Sequence, residues 1–91
     1  MDRVRAYFRI KGDVQGVGFR FYLLRQAAAL KVGGWVRNLY DGDIEGEVEG
    51  PRHRVEEFLR YCWEGPPLAR VEDVEVHYVE PIGEEDFKIK R

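Results

Sequence analysis

The 91-residue chain contains no serine and no threonine, a single asparagine (Asn38), a single cysteine (Cys62) and two histidines, His53 and His77. Without the aliphatic hydroxyls of serine and threonine there is no nucleophile of that kind, and nothing to hold Mg²⁺ in the manner of a Walker loop. One cysteine cannot close an internal disulfide and lacks the companions of a zinc site, in keeping with a reducing compartment. Neither histidine has the carboxylate spacing of a catalytic triad or a metal site, so both are expected at the surface. No run of eighteen apolar residues is present, and Met1-Asp2-Arg3-Val4-Arg5 leads into a strand pattern without an apolar signal segment. The expectation is a cytoplasmic protein with no membrane partner.

What is present describes one globular domain over residues 1–91: 44% of residues are hydrophobic and 35% charged. The formal net charge of −2 conceals a split. Residues 1–40 hold eight Lys and Arg against Asp2 and Asp13, whereas the remainder holds seven against fifteen acidic residues. The basic half is expected to give a local positive potential that steers small anions, without the overall basicity of a nucleic-acid binder. The absence of serine and threonine, the single asparagine and the many Glu and Arg residues also suit a hot environment.

The stretch around which the rest is organised is Gly12-Asp13-Val14-Gln15-Gly16-Val17-Gly18-Phe19-Arg20. Before it, residues 4–11 alternate apolar and polar as a half-buried strand does; after it, residues 21–30 place helix formers at helical spacing. Gly16 and Gly18 tolerate φ > 0 and carry no Cβ. Successive N–H groups of Gln15, Gly16, Val17, Gly18 and Phe19 can therefore converge on one oxyanion at the positive end of the helix. Arg20 adds a permanently charged, two-pronged donor suited to phosphate. The loop lacks the Gly-Lys-Ser/Thr of a Walker motif and the acidic partner of a dinucleotide fingerprint. A tight turn with a solvated arginine is the simpler reading of the glycines alone.

Periodicity predicts a first strand over about Arg3–Lys11, with Val4, Ala6, Phe8 and Ile10 facing inward and Arg3, Arg5, Tyr7, Arg9 and Lys11 outward. A helix follows from about Arg20 to Val32 and stops at Gly33-Gly34. Trp35–Tyr40 and Asp43–Glu49 form a hairpin about Asp41-Gly42. Pro51 is placed in the first turn of a second helix whose Val55, Phe58, Leu59 and Cys62 share one apolar face, ended by Gly65-Pro66-Pro67. Val71–Val79 is a fourth strand, and Asp86–Lys90 a short closing one. The order βαββαβ is that of an α+β, ferredoxin-like split βαβ sandwich: an antiparallel sheet with two helices on one face. The basic outward row of strand one suits a central position between the acidic rows of strands three and four. As exposed pairs, these charges are each worth only about 0.2–1 kcal/mol.

Gly12-x-Val14-Gln15-Gly16-Val17-Gly18-Phe19-Arg20, followed by Gly34-Trp35-Val36-Arg37-Asn38-x-x-x-Gly42-x-Ile44-x5-Gly50, resembles the two signature segments of the acylphosphatases, small enzymes that hydrolyse acyl phosphates. The likeness extends through Gly65-Pro66-Pro67-x-Ala69-x-Val71 to Phe87-x-Ile89. Asp13, where the family often has a basic residue, and Ile44, where valine is usual, are departures. The resemblance implies a freestanding acylphosphatase acting as a monomer on a small acyl phosphate and releasing inorganic phosphate. It implies Arg20 and the 15–19 amides as the phosphate site, Asn38 as the residue that orients the attacking water, and neither cofactor nor metal. Arg37 and Lys11 are expected to be solvated; Tyr7, Tyr22, Trp35 and Tyr40 are expected to pack, and Cys62 to be buried. The competing class is a non-catalytic anion-binding, RNA-binding or regulatory module on the same sandwich, because fold alone does not set function. An RNA binder needs free aromatics on its open sheet face, where this sequence offers Tyr7 among charges.

Overall fold

The computed structural model describes residues 2–91. Seven elements follow one another: β1 (Arg3–Asp13), α1 (Phe19–Leu30), β2 (Gly33–Asn38), β3 (Ile44–Pro51), α2 (Arg52–Glu64), β4 (Arg70–Val79) and β5 (Phe87–Ile89). The five strands form one sheet in the order β4-β1-β3-β2-β5, with β1 antiparallel to both β3 and β4. The central place of the first strand between the third and fourth is therefore the one expected from the charge rows.

Alternation along the strands builds the core. Ala6, Phe8 and Ile10 of β1, Val36 of β2, and Ile44 and Val48 of β3 are fully buried beneath Leu23 and Ala27 of α1 and Val55, Phe58 and Cys62 of α2. The ring of Phe8 packs at 5.6 Å from that of Phe58, which in turn lies 5.4 Å from Phe87 of β5. Gly46 makes room for this stack: a Cβ there would stand 2.6 Å from Phe8 Cζ and 2.2 Å from the Trp35 carbonyl oxygen. Cys62 lies in the core as expected, and burial pushes its thiol well above the usual range.

Four details differ from the sequence expectation. First, β5 runs parallel to β2, so the sheet is mixed and not wholly antiparallel. A three-residue strand carries no directional signal of its own; the chain leaves β4 at one edge and crosses the sheet before reaching the other. Second, α1 ends at Leu30 because Lys31 adopts the left-handed conformation (φ 56°, ψ 50°), with a cap N–H reaching the carbonyls of Ala27 and Ala28. The glycines beyond it instead open β2, where a Cβ on Gly33 would lie 2.3 Å from the Glu84 carbonyl oxygen. Third, Pro51 is the last residue of β3 and precedes α2 with an extended ψ of 140°.

The fourth difference concerns the outward face of the sheet. Arg5 is only 3% exposed and Glu49 wholly buried, so their pairing is not a solvated one. Arg5 donates to Glu47 at 2.5 Å, to Glu49 at 2.8 Å and to Glu84 at 2.9 Å. Glu49 also accepts from Arg3 at 2.8 Å and from the backbone N–H groups of Ile82 and Gly83 at 3.0 and 2.8 Å. The segment between β4 and β5 is thus strapped across the end of the sheet. Alternation put these side chains on the correct face; only the long connection, folding back over it, removes them from water.

The same pairing revises the expected steering field. Of the eight basic residues in the first 40, Arg3, Arg5, Arg9, Lys11 and Arg37 are paired with carboxylates of the acidic half. The split in charge along the sequence therefore mainly reflects which strands are neighbours. Tyr7 is likewise engaged: its hydroxyl donates to Glu45 at 2.7 Å and its ring stacks on His77 at 6.2 Å.

Candidate active site

β1 delivers the glycine loop. The strand shifts register between Lys11 and Gly12 and ends at Asp13, after which Val14 turns its side chain into the core and the chain passes through Gln15 to Gly18. Gly16 and Gly18 both adopt φ 77°, and Gly18 is the N-terminal cap of α1 with no side-chain cap hydrogen bond. The first turn of that helix holds no acidic residue. Among the described residues, no turn or loop hydrogen bond uses the N–H groups of Gln15, Gly16, Val17 or Gly18. These donors, the uncapped helix end and the absence of a nearby carboxylate in that turn together favour a bound anion.

The two glycines answer to conformation and not to crowding. A Cβ added to Gly16 or Gly18 meets nothing within 4 Å, yet each sits where an L side chain is strained. Gly16→Ala is accordingly expected to lower stability by about 1–2 kcal/mol, the cost of holding alanine in the left-handed region. Thermal unfolding would read this as a fall in Tm of roughly 4–16 °C.

Arg20, in the first turn of α1, and Asn38, the last residue of β2, are separated along the chain by the rest of the helix and the strand, yet both line one pocket of about 170 Å³ together with Gly16, Gly18, Phe19 and Phe21. Arg20 forms no ion pair among the described residues, unlike Arg3, Arg5, Arg9 and Arg37. The Oδ1 atom of Asn38 is buried and has no hydrogen-bond donor among the described residues. A buried acceptor without a partner costs about 1–3 kcal/mol, so a donor brought in with a ligand or solvent would be welcomed there. Asp13 is exposed, lies opposite Arg70 in the β1–β4 register and does not line this pocket.

A second, wider groove of about 580 Å³ adjoins the first, sharing Asn38 and lined also by Gln15, Arg37, Leu39 and Tyr40. Arg37 is not free in solvent as expected from the sequence. Its guanidinium holds Glu45 through Nε at 2.8 Å and Nη2 at 2.6 Å and lies 5.4 Å from the Trp35 ring. Burial alone would raise the Glu45 carboxyl, but the Tyr7 hydroxyl and Arg37 outweigh it and lower it below the usual range. The hairpin was the nearest signal for this pair, but the strands end at Asn38 and resume at Ile44, a longer connection than the expected two-residue turn, and that register sets Arg37 directly opposite Glu45. Tyr40 also departs from its expected packing role: it is fully exposed at the hairpin tip. Phe21 is 59% exposed at the mouth of the smaller pocket, a position that helical periodicity alone did not distinguish from the core.

The side chain of Gln15 was not anticipated; only its backbone N–H was. It reaches across to the hairpin and donates from Nε2 to the carbonyl oxygens of Leu39 at 2.7 Å and Asp43 at 2.9 Å. Among the described residues, no group of three or more His, Cys, Asp or Glu is placed to hold a metal ion. No described helix is long and apolar enough to cross a membrane.

The fold and this pocket define the class: a ferredoxin-like α+β sandwich with a glycine loop between its first strand and first helix. Within that class, the acylphosphatase family model matches residues 6–89. An acylphosphatase from Moorella thermoacetica is 58% identical over 90 residues, covering 99% of this chain and 97% of that protein. One from Thermococcus kodakarensis is 55% identical, covering 98% of each. The solved structure of an acylphosphatase from Coxiella burnetii superposes with a TM-score of 0.93 at 32% identity, over 98% of this chain and 94% of that one. The chain belongs to the acylphosphatase family.

Proposed function

We propose that this protein hydrolyses the carboxyl–phosphate anhydride of small acyl phosphates, with Arg20 and the 15–19 amides holding the phosphoryl group and Asn38 orienting the attacking water. The observation that carries the reading is that one pocket brings together a guanidinium without an ion pair, an uncapped helix end and a carboxamide oxygen without a donor, among the described residues.

The chemistry asks for little more. The leaving group of an acyl phosphate is a carboxylate, already a stable anion near neutral pH, so no general acid has to protonate it. Water attacks phosphorus in line, the bond from phosphorus to the acyl oxygen breaks, and the carboxylate departs with the electron pair. Such displacements depend on position and on neutralising charge at the phosphoryl oxygens, which the loop amides and Arg20 supply. Asn38 Oδ1 accepts from the water and its amide donates to a neighbouring oxygen, so one side chain fixes the direction of attack. Asn38 is no base at neutral pH; the water's proton passes to a phosphate oxygen, giving inorganic phosphate.

The test is turnover of acetyl or benzoyl phosphate by the purified protein in the presence of chelator. Hydrolysis with competitive inhibition by inorganic phosphate is expected. Phosphate monoesters should turn over poorly, because their alkoxide leaves without help. Absence of acyl phosphate hydrolysis, or a strict need for added metal, would overturn the proposal.

A further inference from the structure

We propose that the side chain of Gln15 is a positioning residue: its carboxamide braces the anion-binding loop against the β2–β3 hairpin and so sets the distance between the bound phosphoryl group and the water held by Asn38. The inference rests on the functional reading above and deepens it.

Among the described residues, the hydrogen bonds that tie the loop of residues 14–18 to the hairpin are those of Gln15. Val14, Gly16, Val17 and Gly18 have no polar side-chain atoms, so Gln15 is the only residue of the loop whose side chain can hydrogen bond. Its two acceptors are the carbonyls that frame the hairpin turn. The Leu39 carbonyl also accepts from Gly42 N–H at 3.2 Å, and the Asp43 carbonyl from Leu39 N–H at 2.8 Å. Each oxygen therefore uses its second acceptor site for Gln15. Because both partners are acceptors, the amide must present its NH₂ to them, which fixes its orientation. Leu39 follows Asn38 directly, so the brace grips the backbone one peptide away from the group that is to hold water.

The alternative is an exposed side chain that happens to rest on a turn, and its predictions differ. A brace acts only through relative placement. Removing it leaves the loop amides and Arg20 able to bind phosphate but lets the phosphoryl group and Asn38 drift apart, and misplacement by about 1 Å can cost about 100-fold in rate. A resting side chain would change neither.

Gln15→Met keeps length and removes the donors. It is expected to lower kcat for acetyl phosphate about 10- to 100-fold, with the inhibition constant for inorganic phosphate unchanged and Tm lowered by less than about 8 °C. In an Asn38→Ala background the same substitution should lower kcat less than about 2-fold, because the group it positions is gone. Unchanged kcat in Gln15→Met, full multiplicative loss in the double variant, or a parallel loss of phosphate affinity would each overturn the proposal.

A readout independent of turnover separates this inference from the reading on which it rests. Titration of ¹⁵N-labelled protein with inorganic phosphate should shift the amides of residues 16–19 and, through the brace, those of Leu39 and Asp43. In Gln15→Met the loop shifts should persist and the hairpin shifts vanish. Phosphate-dependent hairpin shifts in a wild-type protein that fails to hydrolyse acyl phosphates would overturn the catalytic reading and leave the brace standing. Identical hairpin shifts in the variant would overturn the brace, whatever the activity.

Discussion

Asn38→Ala is expected to lower kcat for an acyl phosphate about 100- to 1000-fold, the usual cost of removing one preorganised polar group from a reacting centre, while inorganic phosphate binds as before. Arg20→Ala should lose rate by about as much or more and weaken phosphate binding with it, because a guanidinium aimed at the phosphoryl oxygens acts in the ground state as well as in the transition state. The contrast follows from geometry. Both side chains line one pocket, but only Arg20 carries charge complementary to a phosphate dianion. The buried Oδ1 of Asn38 has no donor among the described residues, so alanine removes an unsatisfied acceptor and Tm should stay level or rise. Loss of rate without loss of stability is the mark of a group kept for chemistry. Steady-state kinetics, phosphate inhibition and thermal unfolding on the two variants check this. Full activity in Asn38→Ala would remove the water-orienting role.

The second large effect lies at the other end of the sheet. Glu49 is wholly buried, and burial by itself would raise its carboxyl. The N–H groups of Ile82 and Gly83 and the guanidiniums of Arg3 and Arg5 outweigh that and lower it to about 2, from an ordinary value of 4.5. Glu49→Ala leaves the buried Arg5 and two backbone donors without this acceptor and is expected to cost about 3–5 kcal/mol, as breaking a buried ion pair does. In a domain of this size that is a fall in Tm of roughly 15–30 °C.

The same carboxylate makes stability depend on acid. With its folded pKa depressed, its contribution is fully present above the unfolded value near 4.5 and is lost as pH falls toward 2. About 3 kcal/mol should disappear across that window. Glu49→Gln keeps an acceptor oxygen but has no proton to gain there, so its stability should vary less over the same range. Urea unfolding at several pH values compares the two. Equal acid dependence in the wild type and Glu49→Gln would show that Glu49 does not govern it.

The strap around Glu49 also marks a limit of reading by pattern. Alternation in β1 and β3 assigned Arg5 and Glu49 to the face away from the helices, which is correct, and a face away from the helices is usually wet. Its burial depends on residues 80–86 folding back across the sheet, a contact made some 30 to 80 positions away along the chain. Gln15 was legible only in part for a similar reason. A loop glutamine announces neither a partner nor a direction, and its partners are backbone carbonyls, which leave no trace in residue identity. Arg37 was closer to being legible: a two-residue turn at Asp41-Gly42 would set it opposite Gly46, one position from Glu45, the partner that the observed register gives it.

The sequence by itself determined the local facts: the strand and helix periods, the glycine loop that ends in Arg20, the hairpin, the burial of Cys62 and the family signature. These depend on neighbours a few residues apart, where backbone sterics and side-chain spacing decide. Only the tertiary structure decided that β5 joins parallel to β2, that Arg20 and Asn38 share a pocket, and that Gln15 spans from loop to hairpin. Each of these brings together segments whose separation in space is set by how the helices and the long connection pack on the sheet, and no local preference encodes that distance.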